Sequence, residues 1–402
     1  MFSILKEEKC YRKLFAAGII NGIGDRFSQV AMLGLQLQLT GSGFAVGLTM
    51  CLRLVPFLFF GTLGGILADR LPRKTILVVT DLVRILFALS FLFVHNKENV
   101  WIIYVSSFVL AIGEAIYAPA RKSSIPQLVK EINLVQVNSM EQVLTGAVLI
   151  GGAFSGGIAA YFFGPQIPFL LNALSFLLAA GILSTIPFPE KQQFEQTKTE
   201  TKQSPAFWTV KKVLFSSFAL QILFLAEMVL PFISGFDNVL ISVYAVKVYA
   251  LGDLGVGLFY GALGIGLMLS SLAANRLKGN LLAPGTVFMI LEGLSIVILS
   301  QVKHPALAVL FFICNAWMGG IGGTCFDSVL MKETPKEHQG VIFGLLATIG
   351  NTIIGIAMLA AGAALDFVPP RVMGLSAGLA LMVVGLCFMG LIFVKKTHRQ
   401  RA

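Results

Sequence analysis

Charge is what this sequence has least of. Only 12% of its 402 residues are Asp, Glu, Lys or Arg, 56% are hydrophobic, and a mean hydropathy of +0.84 leaves too little polar surface to coat a water-soluble globule. The five cysteines, Cys10, Cys51, Cys314, Cys325 and Cys387, are scattered without CxxC spacing, so neither a disulfide framework nor a thiolate metal site is expected. All four histidines (His95, His304, His338, His398) fall in loops or the tail and no HExxH occurs, which argues against an embedded metal or haem. No GxxxxGK phosphate loop is present, so ATP is not expected to drive the chain directly. The polar and apolar alternation of a membrane β-barrel is missing too.

What the chain has in abundance is long apolar runs. Crossing a hydrocarbon core takes about 20 helical residues. Twelve stretches reach that length, near 14–39, 43–68, 75–94, 100–118, 137–163, 167–187, 214–246, 253–275, 284–302, 305–328, 341–366 and 372–394. The reading is an all-α membrane protein with twelve transmembrane helices. Lys and Arg supply an independent test, because cytoplasmic loops retain them. Three lie within spans (Arg26, Arg53, Arg84) and four in one alternate set of loops (Lys97, Lys247, Lys303, Arg371). All the others fall in the opposite set and at the two ends, which puts both termini in the cytoplasm. The net charge of +10 then reflects topology and anionic-lipid contact and calls for no nucleic acid. The opening MFSILKEEKCYRK is too charged for a cleaved secretory signal, so the first span is expected to stay.

Composition changes sharply at EKQQFEQTKTETKQSP, residues 190 to 205. It divides the chain into a six-helix bundle at 1–189, a cytoplasmic linker with an interfacial segment at 190–213, and a second six-helix bundle at 214–402. The halves look related: GGILADRLPRK from residue 64 recurs as SSLAANRLKGN from residue 270, keeping Ala68/Ala274, Arg70/Arg276 and Leu71/Leu277. Two parallel six-helix pseudo-repeats explain this most economically.

The first span holds NGIGDRFSQV, with Asp25 close to mid-membrane, where a charge costs about 2.5 to 3.5 kcal/mol. Asn21, Asp25, Ser28, Met32 and Gln36 follow helical spacing, so the polar members form one stripe, expected to face a wet cavity. Arg53, at similar depth in span 2, is the candidate partner of Asp25. Two readings stand for Asp25: a fixed ion pair joining spans 1 and 2, or a carboxylate that takes and releases a coupling proton. Glu227 and Asp237 flank Pro231 and Gly235 in span 7, which suits a broken helix lining the cavity with Ser234 and Asn238, or a kink without a ligand role. Glu292 in span 9 is a further cavity or proton-site candidate. Glu114 and Glu141, placed near the inner ends of spans 4 and 5, are gate candidates first. The clusters Gly151, Gly152, Gly156, Gly157 and Gly319, Gly320, Gly322, Gly323 suit close helix approach.

At the end of span 2, the Asp69 carboxylate can accept hydrogen bonds from the free N–H groups of a neighbouring helix N-terminus, expected to be that of span 11. Asp81 and Arg84, at i and i+3 in span 3, can pair and link to this latch. The bland reading, for Arg70 and Lys74 above all, is that these charges anchor the loop at the headgroups.

GILADRLPRK also resembles the loop 2–3 signature of the major facilitator superfamily, matched at Gly65, Asp69, Arg70, Arg73 and Lys74, with Pro72 where the family usually has Gly. GDRFSQVAM, YAPARKSSIPQLV, IGGAFSGG and KETPKEHQGVIFGL are similar to its drug:proton antiporter branch, which contains macrolide-efflux proteins and the enterobactin exporter. Gly152 replaces a Pro frequent in exporters, and Val341 an Arg usual in the branch. The resemblance implies two bundles rocking about a central cavity by alternating access, and proton-coupled efflux of a drug-like or macrolide-like amphipathic molecule. No cofactor is expected beyond the proton gradient; the expected partners are a small-molecule substrate, protons and membrane lipids, and the expected state is a monomer in the cytoplasmic (plasma or inner) membrane. A siderophore or lysolipid exporter is the alternative within transport, and a polytopic membrane enzyme the alternative from another class. The intramembrane acids lean toward neutral or cationic substrates.

Overall fold

The computed structural model of the chain describes residues 3–40, 43–154, 162, 164–188, 212–274, 276–365 and 367–401. A short helix, Ser3–Glu7, precedes α1 (Lys9–Thr40), α2 (Gly43–Arg70), α3 (Arg73–Ser90), α4 (Val100–Leu128), α5 (Leu134–Val148) and α6 (Gln166–Ser184). The second half holds α7 (Phe218–Val243), α8 (Gly252–Ala274), α9 (Leu282–Gln301), α10 (Pro305–Glu333), α11 (Gln339–Ala364) and α12 (Pro370–Arg401). The interruptions fall where backbone chemistry demands them. Pro72 stands just before α3 and Pro305 occupies the first turn of α10, where a missing N–H costs nothing. Ser217 caps α7 by accepting the Leu220 N–H at 3.2 Å. Gly279 turns the chain between α8 and α9 at φ +82.

Ten of these helices are long and apolar enough to cross a membrane. The other two are α1, which carries Lys9, Arg12, Lys13, Asp25 and Arg26, and α5, which passes into π-helical turns at Leu149–Phe154 and continues outside the described residues. Nearly all of the expected linker, residues 190–211, and Gly156 and Gly157 lie outside them as well. One expectation is corrected: α7 is not broken at Pro231 and Gly235 but runs through both. Gly235 serves close packing, since a Cβ there would come within 2.6 Å of the Ala357 Cβ on α11.

Within each half, helices pack as neighbours in a bundle, α1 on α6 and α2 on α4 in the first, α9 on α12 and α8 on α10 in the second. The halves meet along α2 with α11 and α5 with α8. Gly61 and Gly65 on α2 face Gly344 and Gly340 on α11 with backbones almost touching, a contact no larger side chain permits. Large apolar side chains such as Leu170, Leu174 and Leu177 point outward from α6, as a surface in lipid requires.

The buried core is unequal along the bundle axis. At the end bearing the α2–α3, α4–α5 and α10–α11 loops, here the basic end, one cluster joins both halves, with Tyr11, Leu77 and Met140 in the same body as Leu330, Ile342 and Phe343. Toward the opposite end it divides: Met32, Phe91 and Phe176 form a core within the first half, and Tyr244, Phe259 and Phe312 another within the second. The bundles are therefore fused at the basic end and separately packed at the other.

Candidate functional site

Arg84 on α3 is the centre of an ion cluster inside the first half. Its side chain is 2% exposed, and its guanidinium lies 3.1 Å from Glu114 on α4, 3.7 Å from Asp25 on α1 and 3.8 Å from Asp81 on its own helix. Its Cζ sits 4.3 Å from the centre of the Phe176 ring on α6, so the cation is held by charge at its edges and by an aromatic face. Asp25 is shared: its other oxygen accepts from Arg53 on α2 at 3.0 Å. Asn21 donates to Asp81 at 2.8 Å. Four helices are thus tied through buried charge, with three carboxylates facing two guanidinium groups.

This geometry corrects three expectations. Asp81 and Arg84 do not join the loop 2–3 latch; they belong with Asp25, because Arg84 points into the bundle and finds two further carboxylates there. Glu114 is not near the inner end of its span but midway along α4, paired with Arg84. The polar stripe of α1 does not line a wet cavity. Asn21, Ser28 and Gln36 are all buried, Asn21 against Asp81, and Gln36 between the Ala45 carbonyl (3.1 Å) and the Thr49 hydroxyl (2.8 Å) of α2. In an apolar bundle, polar side chains on a shared face are most stable satisfying one another across helices.

A second constellation closes the basic end. Asp69, in the last turn of α2, accepts from the Gly340 and Val341 N–H groups at the start of α11, both at 2.8 Å. Arg73 lies 3.5 Å from the same carboxylate, whereas Arg70 is exposed and Lys74 half-buried. Gly65 permits this approach, since any side chain there would run into the Gly340 carbonyl. Glu141 binds Arg121 through two contacts and accepts from Tyr11 at 2.8 Å, which locks α1, α4 and α5 together at this end.

Sequence reasoning passed over the remaining cross-half contacts here. Lys122 on α4 meets Asp327 on α10 at 2.7 Å, Asn138 on α5 donates to Ser328 on α10 at 3.1 Å, and Lys332 pairs with Glu131 at 3.3 Å. Lys122 and Asp327 stand 205 positions apart, one short of the 206 that separates Ala68 from Ala274, so the repeat alone did not pair them. Glu227 feels the charges of Lys122 and Asp327 and approaches Gly350, so it belongs to this closure and not with Asp237.

The third constellation is a cavity of about 320 Å³ lined mainly by the second half. Ser234, Asp237 and Asn238 enter it from α7, Glu292 from α9 and Asn315 from α10, among leucine, isoleucine and phenylalanine side chains. Of the predicted residues, these four from α7 and α9 are brought together.

A protein closed at one end, split at the other and carrying buried charge in each half has the build of an alternating-access carrier, and comparison with known proteins decides the family. The sequence model of the Major Facilitator Superfamily matches residues 14–357. The chain belongs to the major facilitator superfamily. Macrolide efflux protein A of Streptococcus pyogenes is 23% identical over 363 residues, spanning 86% of this chain and 87% of that protein. The enterobactin exporter EntS of Citrobacter koseri is 24% identical over 430 aligned positions, spanning 99% and 95%. Among solved structures, the human organic anion transporter MFSD10 (TETRAN) superposes with a TM-score of 0.80 at 13% identity, covering 95% of this chain and 99% of that one. The transporter FucP in its outward conformation gives 0.72 at 15%, covering 95% and 98%. The chain is therefore a multi-pass membrane transporter of small molecules with efflux-type relatives. The membrane-enzyme class is set aside, because this family and these relatives are transporters.

Proposed function

We propose that this major facilitator exports an amphipathic small molecule in exchange for protons, through twelve spans with both termini in the cytoplasm of a bacterial cell. The observation that carries the coupling is the charge balance around Arg84. Asp25, Asp81 and the part-exposed Glu114 share Arg84 and Arg53, with Arg26 also acting on Asp25, so the hold of these acids on a proton depends on how the three cations are shared among them. Asp25 is the member best suited to carry the proton. It alone touches both Arg53 and Arg84 and joins α1 to α2 and α3, so rearrangement of these helices changes its counter-ions and with them its hold on a proton. Closure at the basic end with separate cores at the other supports a form loaded from, or released to, the far side of the membrane. The efflux activity of the macrolide and enterobactin relatives favours release.

The test is proton movement in proteoliposomes under an imposed pH gradient, wild type against Asp25→Asn, while macrolides, cationic dyes and siderophores are added in turn. Exchange predicts substrate-triggered proton flux that the variant loses. Equal flux in both proteins, or substrate movement with none, would return Asp25 to a purely structural ion pair.

A further inference from the structure

The cavity of the second half holds two acids with no basic partner among the described residues. Asp237 and Glu292 enter it from different helices, and among the described residues neither forms a hydrogen bond or salt bridge with a lysine or arginine. The charge that Glu292 feels is that of Asp237, which is of the same sign. Asn315, only 8% exposed, lines the same cavity, and its Oδ1 has no hydrogen-bond partner. A buried amide oxygen left unpaired costs roughly 1–3 kcal/mol, so its presence needs a reason. Gly319, one turn beyond Asn315 on α10, supplies the space: a Cβ there would lie 2.6 Å from the Glu292 Oε1. Helix α10 thus gives up a side chain where the acid lies, and offers an unsatisfied acceptor beside it.

We propose that this cavity binds the protonated amine of an organic cation, with Asp237 and Glu292 as counter-charges and the Asn315 Oδ1 accepting one ammonium N–H. Two carboxylates and a lone carbonyl oxygen require a ligand that brings both positive charge and donors, and an alkylammonium brings both. Much of the rest of the wall, including Leu230, Ile241, Leu267, Met289, Phe312 and Phe326, suits an apolar body attached to that nitrogen. A volume of about 320 Å³ is near the lower bound for drug-sized ligands, so the amine-bearing part of a larger molecule, or a small arylalkylamine whole, is the fitting occupant. This deepens the exporter reading by naming the polar group of its cargo. It also places the cargo's charge in the half that lacks the Arg84 cluster, so substrate and proton occupy different bundles.

The test is equilibrium binding to the full chain in lipid nanodiscs without any gradient, by calorimetry, using 4-phenylbutylamine and its neutral N-acetyl derivative. The proposal expects the amine to bind and the amide to bind at least tenfold more weakly. Asp237→Asn and Glu292→Gln should each weaken the amine tenfold or more, and Asn315→Leu severalfold, with unchanged gel-filtration profiles. Gly319→Ala, which displaces Glu292 without removing any polar group, should also weaken the amine and leaves a readout if an acid variant fails to fold. Equal binding of amine and amide, no binding of the amine to the wild type, or full affinity in both acid variants would overturn it. A failure of the exporter reading would appear instead as amine binding without translocation in liposomes.

Discussion

Asp69 and Gly340 meet across the two halves of the molecule, the carboxylate of the first accepting the backbone N–H of the second at 2.8 Å. The contact joins a helix C-terminal turn to a helix N-terminus, and it needs three things at once. The acceptor must be anionic to gain from the partial positive charge of α11, its partner must expose N–H groups, and Gly65 must let the backbones approach. It can form only when the basic end is shut, so it biases the conformational equilibrium directly and need not stabilise the fold of either half.

Asp69→Asn removes the charge and one of the two acceptor oxygens. A hydrogen bond to a charged group contributes about 1.5–3 kcal/mol, so the population closed at the basic end should fall by roughly 10- to 100-fold relative to the open one. A single reporter cysteine at Ser328, in a background with the native cysteines replaced, reads this. Its labelling by a bulky maleimide from the basic side should accelerate in the variant, while the unfolding temperature of the protein changes little.

Gly65→Ala tests the same latch through sterics. The added methyl meets the Gly340 carbonyl, a backbone atom that cannot rotate away. Expected are loss of transport, faster labelling of the same reporter, and no rescue by restoring polarity elsewhere. Gly181, where an added Cβ meets nothing within 4 Å, provides the contrast: Gly181→Ala should leave labelling and transport as in the wild type.

Arg84 supports the first half itself. Removing one partner from a buried ion network costs about 3–5 kcal/mol, because the charges left behind lose their compensation. Arg84→Gln should therefore be among the most destabilising single changes in α3, and Arg84→Lys should recover only part, since one ammonium cannot span Asp25, Asp81 and Glu114 as a planar fork does. Glu114→Gln should cost much less, roughly 1 kcal/mol, because that side chain is 40% exposed and solvent screens it. Thermal unfolding of the three variants in one detergent gives the order directly.

The order of the apolar spans and the direction of the Asp69 contact were legible from the sequence because each depends on local properties, an apolar run or an acid placed at a helix end, whereas α4 runs to Leu128, past the end of its apolar run. The pairing of Asp25 with Arg53 was legible from depth alone. The centre of the cluster was not. Spacing puts Asp81 and Arg84 on one face of α3, but nothing in α3 says that Asp25 and Glu114 lie opposite that face. The stripe of Asn21, Ser28 and Gln36 failed for a related reason: a period of 3.6 assigns residues to one face and is silent on whether water or α2 covers it. Asn315 carried no signal, since an asparagine without a partner is visible only once its surroundings are known.

Lys122 and Asp327 close the gap between α4 and α10 at 2.7 Å, with the ammonium also 5.7 Å from the centre of the Phe343 ring. Side-chain exposures of 37% and 30% mean that water screens the pair, so its net value is at most about 1 kcal/mol, or roughly a fivefold change in population. Lys122→Asp does more than delete the pair. It sets the new acid against Asp327 and within the field of Glu227, and it should open the basic end by a larger factor than Asp327→Asn, which leaves Lys122 with Glu227 still near. The exchange Lys122→Asp with Asp327→Lys rebuilds the pair but moves the cation to α10. If the bridge acts only as a charge pair, the double variant should return reporter labelling at Ser328 most of the way to wild type. A double variant as open as Lys122→Asp alone would mean that Glu227 requires the cation on α4, and would make these three residues one coupled unit.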